Sequence, residues 1–202
     1  MIKDYGSQVE SVWKGLRPLT KKMLVGAMTP NIAKQTFSYD IHADWELSQL
    51  LTVLDVQLHD AEVQKRADKL KEIKQLAQTC VNVLQSQTES AEVFIQLAER
   101  YLEDKNYVEI DRLSDIMKDR FSVGEMCEVA RQTTNPAIRA IAFETIAIMD
   151  VEEIIPSLDD PIYEEIARTA LEIKAIEYES VDARRVLESY DFEEEDEVIE
   201  ME

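Results

Sequence analysis

The sequence predicts an all-α fold, and three observations carry that prediction. Apolar residues recur three or four positions apart through most of the chain, the spacing that lines one face of a helix. Strong helix formers, Ala, Leu, Glu and Gln, fill those periodic stretches. Turn residues are scarce: 202 residues include four Gly and five Pro, where a β-rich fold would use many. With 45% hydrophobic residues the chain can bury a core and does not have the composition of a disordered polymer. Its length suits one medium domain, or a small domain with appendages.

The elements follow in order. Residues 1–43 read as short, basic, amphipathic helices punctuated at Pro18 and Pro30, with Thr29 as a hydroxyl cap before Pro30. Residues 44–88 form a long helix or a helical hairpin. Leu47, Leu50, Leu51, Leu54 and Leu58 share one face, and Ala67, Leu70, Ile73, Ala77, Cys80 and Leu84 continue the pattern. Asp60 is a plausible cap, which favours a break at His59-Asp60. The stripe can pack within the chain or form a coiled-coil seam in a homodimer. "QSQTES" at 85–90 is the clearest internal loop and the candidate boundary. In 89–190 the helices shorten and pair. One spans 90–103 and another 107–118, and Ser122 with Glu125 form a capping box. Asn135-Pro136 opens the next helix, "DVEE" at 150–153 is a second box, and Asp160-Pro161 opens a helix to about Tyr178. A last helix spans 181–190, and 191–202 is an acidic tail expected to be disordered.

Two of these helices match without a gap at an offset of 25 residues. Asn135 meets Asp160, Pro136 meets Pro161, Ala142 meets Ala167, and Ile146 meets Leu171. Amphipathic helices share apolar positions by chance, but less easily a polar-Pro start in the same register. The stretches "NPAIRAIAFETIA" and "IIPSLDDPIYEEIARTALEI" resemble HEAT or armadillo-like helical repeats. The resemblance covers roughly 122–178. Ile154, Ile155, Leu158, Asp159, Asp160 and Pro161 match the inter-helix turn, Arg139 a position where such repeats carry arginine, and Ala142 the small packing residue. Glu164 departs from the pattern. The resemblance implies a short HEAT-like α-solenoid in the C-terminal half, preceded by the long amphipathic helices. A single helical pair cannot bury its apolar face alone and must stack on neighbours.

Charge is unevenly spread around the net of −20. Residues 1–40 hold six Lys/Arg against three Asp/Glu, while 150–202 hold four against twenty. Such a field repels nucleic-acid backbones and anionic membranes, so neither direct nucleic-acid binding nor a membrane partner is expected. It attracts a basic protein, or keeps the chain in solution. Cys80 and Cys127 lie in helical apolar patterns and read as buried free thiols of a reducing compartment. "MIKDYGSQVESVW" lacks the continuous apolar core of a signal peptide, so a cytoplasmic protein is expected.

Motifs for chemistry are scarce. The glycines are isolated, no nucleophile motif occurs, and no cofactor is implied. Asp55, His59 and Glu62 would share a face only if one helix ran through them, and a solvated junction is the plainer reading. Two segments stand out as candidate partner-binding sites. In 11–28, Lys14, Arg17, Lys21 and Lys22 interleave with Trp13 and other apolar residues. This segment could lie on an anionic membrane, dock into a partner groove, or pack on the chain's own acidic helices. In the tail, Glu193, Glu194, Glu195, Asp196 and Glu197 are interleaved or flanked by Phe192 and Ile199. The expectation is a non-enzymatic interaction module or adaptor for a basic protein surface. Its rivals are an acidic inhibitor mimicking nucleic acid and, more weakly, a helical enzyme with a carboxylate or metal site.

Overall fold

The computed structural model describes residues 4–28 and 39–200, with side chains through residue 190. Every regular element among these residues is a helix, and none of these helices is long and apolar enough to cross a membrane. The predicted helix start at Thr29-Pro30 lies outside the described residues. The chain divides into two compact units, Met1–Leu97 and Ala98–Glu202.

In the first unit, α1 (Ser7–Gly15) and α2 (Pro18–Met28) precede the long helix α3 (Ile41–Leu58). Asp40 caps α3 by accepting from the Ala43 amide at 2.9 Å, satisfying one of the donors a helix start leaves open. Leu47, Leu50, Leu51 and Leu54 are fully buried, as the spacing predicts. α3 ends at Leu58, and Asp60 caps the single turn α4 (Ala61–Gln64) by accepting from the Glu62 and Val63 amides. The pattern resumes in α5 (Ala67–Gln87), whose Ile73, Leu76, Ala77, Cys80, Val81 and Leu84 are buried. Ala67 and Leu70, at its solvent-facing start, are not. α3 and α5 form the principal packed pair, so the leucine stripe is covered within its own chain. The loop predicted at 85–90 is shorter, because α5 runs through Gln87 before α6 (Ala91–Glu103) begins. The division between the units falls inside α6.

The second unit continues with α7 (Tyr107–Arg120), α8 (Val123–Gln132), α9 (Pro136–Ile148), α10 (Val151–Leu158), α11 (Glu164–Glu177) and α12 (Val181–Glu200). Ser122 and Glu125 form the expected capping box at the start of α8. Asn135 caps α9, with Pro136 in the first turn where its missing N–H costs nothing. α10 starts after Asp150, but the Asp150 side chain makes no capping bond, so the second predicted box does not form. α11 begins three residues later than predicted: Asp160 accepts from the Ile162 amide and 161–163 form a turn. The neighbour relations alternate. α9 packs on α7 and α11, α10 packs on α8 and α12, and among consecutive helices α8 packs on α9, α10 on α11 and α11 on α12.

Candidate functional surface

Of the basic N-terminal candidates, Arg17 reaches the acidic start of α3. Arg17 forks onto Asp40, with its Nη1 and Nη2 3.0 and 2.7 Å from the two carboxylate oxygens. Its Nε lies 3.2 Å from Glu46, and its backbone N–H donates to the same carboxylate at 2.8 Å. Thr20 donates a third hydrogen bond to Glu46, which is 6% exposed. A buried carboxylate left unpaired would be costly, and these donors satisfy it. Burial pushes the Glu46 carboxyl up, but the bonds from Thr20 and Arg17 outweigh it and hold its pKa below the ordinary value. The Arg17 fork holds Asp40 far below the usual carboxylate range. Leu16, Met23 and Leu24 are buried beneath this clamp. Of the other candidates, Lys14 pairs with Glu10 at 2.7 Å, Lys21 donates to the Lys14 carbonyl, Trp13 is half-buried and Lys22 is exposed.

His59 does not point toward a shared ligand set. Its Nδ1 lies 2.8 Å from the Asp55 carbonyl at the end of α3, and Glu62 belongs to the separate turn α4. Cys80 and Cys127 are buried free thiols, as expected. Burial pushes the Cys127 thiol up to about 11, so it is not a reactive thiolate near neutral pH. The side chains of Phe192, Glu193, Glu194, Glu195, Asp196, Glu197 and Ile199 lie outside the described residues.

In the second unit a different device organises the charges. Arg139 of α9 donates to the carbonyls of Ala130 and Thr133 at the end of α8, at 3.2 and 2.9 Å. Lys174 of α11 donates to Ala147 and Met149 at the end of α9, at 2.9 and 2.8 Å. Arg184 of α12 donates twice to Ala175 at the end of α11. Each cation thus satisfies carbonyls that a helix terminus leaves open, and complements the negative end of its dipole. Arg131 forks onto Glu128 of its own helix. With further bonds from Gln132 and Tyr163, that fork holds Glu128 down to about 2 despite its partial burial. Arg185 pairs with Asp182 at 3.4 Å. Tyrosines add neutral donors to the acids: Tyr178 to Glu144 at 3.1 Å and Tyr190 to Asp159 at 2.8 Å.

The repeat reading matches Arg139 to a position where such repeats carry arginine and does not anticipate Lys174 or Arg184. One signal was available. Arg139 and Arg184 each stand four residues beyond a capping residue, Asn135 and Ser180, and each reaches the carbonyl nine residues back. Among the described residues no group of three or more His, Cys, Asp or Glu side chains is placed to hold a metal ion. No protein-family model matches the chain, and no curated protein or solved structure matches it either.

Proposed function

We propose that the chain is a non-enzymatic interaction module that presents an acidic helical face to a basic protein surface. The observation that carries this reading is the use of cations between residues 121 and 202. That stretch has six Lys/Arg against twenty-three Asp/Glu. Arg139, Lys174 and Arg184 are turned to helix ends, and Arg131 and Arg185 to acids on their own helices. Arg168 also has an interaction within the chain. These cations therefore close helix ends or pair on their own helices, and among the described residues of this stretch most carboxylates reach solvent without a charged partner. A surface of that kind steers basic partners toward it and disfavours acidic ones. Exposed apolar side chains stand among these acids, including Ile148, Ile176 at 74% exposure, Tyr178 and Val181. Such residues supply the contact area that charge alone does not.

The architecture behind that face we read as a short HEAT-like solenoid. Alternate-helix packing supports it, as do the matched burial of Ala142 with Ala167 and of Ile146 with Leu171. The recurrence of the Arg139 contact at Arg184 supports it too. Stacked units of this kind create extended surfaces suited to binding other chains.

Affinity purification from the native cell at about 0.05 M and about 0.5 M salt tests the reading, because screening weakens exposed charge pairs. The expected result is a defined set of basic proteins at low salt, reduced at high salt and for a chain ending at Tyr190. Partners with no charge bias, held equally at both salt concentrations and by both chains, would exclude the electrostatic reading.

A further inference from the structure

α10 has eight residues and α12 has twenty. α10 packs mainly on α11 and only grazes α12. The result is an open groove of about 570 Å³ within the second unit, a volume that accommodates small ligands or a few side chains. Val151, Ile155 and Val186 supply its apolar lining, and Asp150, Glu152 and Asp182 its acids. Two cations also border it, but both have partners. Lys174 is held by the Ala147 and Met149 carbonyls, and Arg185 pairs with Asp182. Asp150 makes no capping bond, and neither it nor Glu152 has an ion pair among the described residues. Pro156 inside α10 has no N–H to offer the Glu152 carbonyl one turn before it. The groove thus combines apolar lining with two carboxylates that have no ion pair among the described residues.

We infer that this groove seats a lysine- or arginine-bearing segment of a partner protein. The aliphatic stem would lie along Val151, Ile155 and Val186, and the charged head would meet Asp150 and Glu152. Long cationic side chains suit such a site because they cover apolar surface while keeping the head beside carboxylates. The inference rests on the basic-partner reading above and narrows it to one place on the acidic face.

The probe is a fluorescent amphipathic peptide of about twelve lysine and leucine residues, a length typical of helical recognition segments. Its anisotropy is followed on titration with the full chain at low salt. Asp150→Asn with Glu152→Gln removes the groove carboxylates, and Asn remains a good residue before a helix. Asp111→Asn with Asp115→Asn makes the same charge change at exposed positions of α7. The groove pair should weaken binding about five- to tenfold, and the α7 pair less than about twofold. A peptide with lysine replaced by diaminopropionic acid keeps the charge but loses the stem, and should also bind more weakly. Equal weakening by both double variants, or binding indifferent to stem length, would overturn the groove while leaving the basic-partner reading intact. Absence of any peptide binding would overturn both.

Discussion

Arg17 in one unit and Arg139, Lys174 and Arg184 in the other put cations to opposite uses. In Met1–Leu97, Arg17 travels to the acids: it anchors the α1–α2 segment by forking onto Asp40 and satisfying buried Glu46. In Ala98–Glu202, Arg139, Lys174 and Arg184 ignore nearby carboxylates and close helix ends. The first arrangement neutralises acid where it is buried; the second leaves acid on the surface and uses cations as internal fasteners. A net charge total cannot distinguish the two, because what matters is which acids remain without a cation.

The clamp should be the more fragile device. Arg17→Met removes a cation beside a buried carboxylate and should lower the urea midpoint more than any other substitution named here. Adding Glu46→Gln should recover part of that loss, since a neutral amide is cheaper to bury than an unpaired charge. No recovery in the double variant would show that Arg17 stabilises through packing rather than through Glu46. The fasteners should each matter less, because every helix end keeps other contacts. Lys174→Met should cost about 1 kcal/mol, and Arg184→Met a similar or smaller amount. If losses here exceed the Arg17 effect, the contrast between the units is reversed.

Local signals in the sequence were legible and distant pairings were not. The Asp60 cap, the Ser122–Glu125 box and the Asn135-Pro136 start each involve atoms within three residues, so composition at the position is nearly sufficient. Asp160-Pro161 has the same composition, and Asp160 accepts from the Ile162 amide as Asn135 does from Ala137, yet 161–163 form a turn and the helix starts at Glu164. The Arg17 clamp spans 23 and 29 residues, and no periodicity brings those positions together. The repeat was read at an offset of 25 residues, from its apolar core. The arginine contacts recur at 45, from Arg139 to Arg184, because they belong to the α8–α9 and α11–α12 pairs with α10 between them. The two helices matched by their apolar positions, α9 and α11, pack on each other, while the arginine contacts join α8 to α9 and α11 to α12.

Glycine tests the first unit at one more point. Gly6 precedes α1 at φ +107°, and a Cβ there would stand 2.2 Å from the Gln57 Oε1 atom. Gly6→Ala should destabilise by about 1 kcal/mol in the same urea assay, from backbone strain and displacement of Gln57. A neutral result would mean that the start of α1 rearranges freely and contributes little to the unit.

The smallest expected effect carries a definite sign. Asp44 is buried in α3 near the clamp, and burial raises its pKa although bonds from Tyr39 and Thr88 oppose the shift. The folded chain therefore holds this proton more tightly than the unfolded chain does. Its favourable contribution is complete below the unfolded carboxyl pKa and is lost as pH rises through the folded value. Asp44→Asn stays neutral throughout and can still accept from Tyr39 and Thr88. It should match the parent chain near pH 3 and exceed its stability by about 0.5 kcal/mol at pH 7. Denaturation at the two pH values checks this. A variant less stable at pH 7 than at pH 3, relative to the parent, would mean that the charged carboxylate is favoured at this site, as it is at Glu46. The contrast with Glu46, only two residues away, would then disappear: one buried acid is held ionised by a guanidinium, and the other has no cation partner among the described residues and is disfavoured when charged.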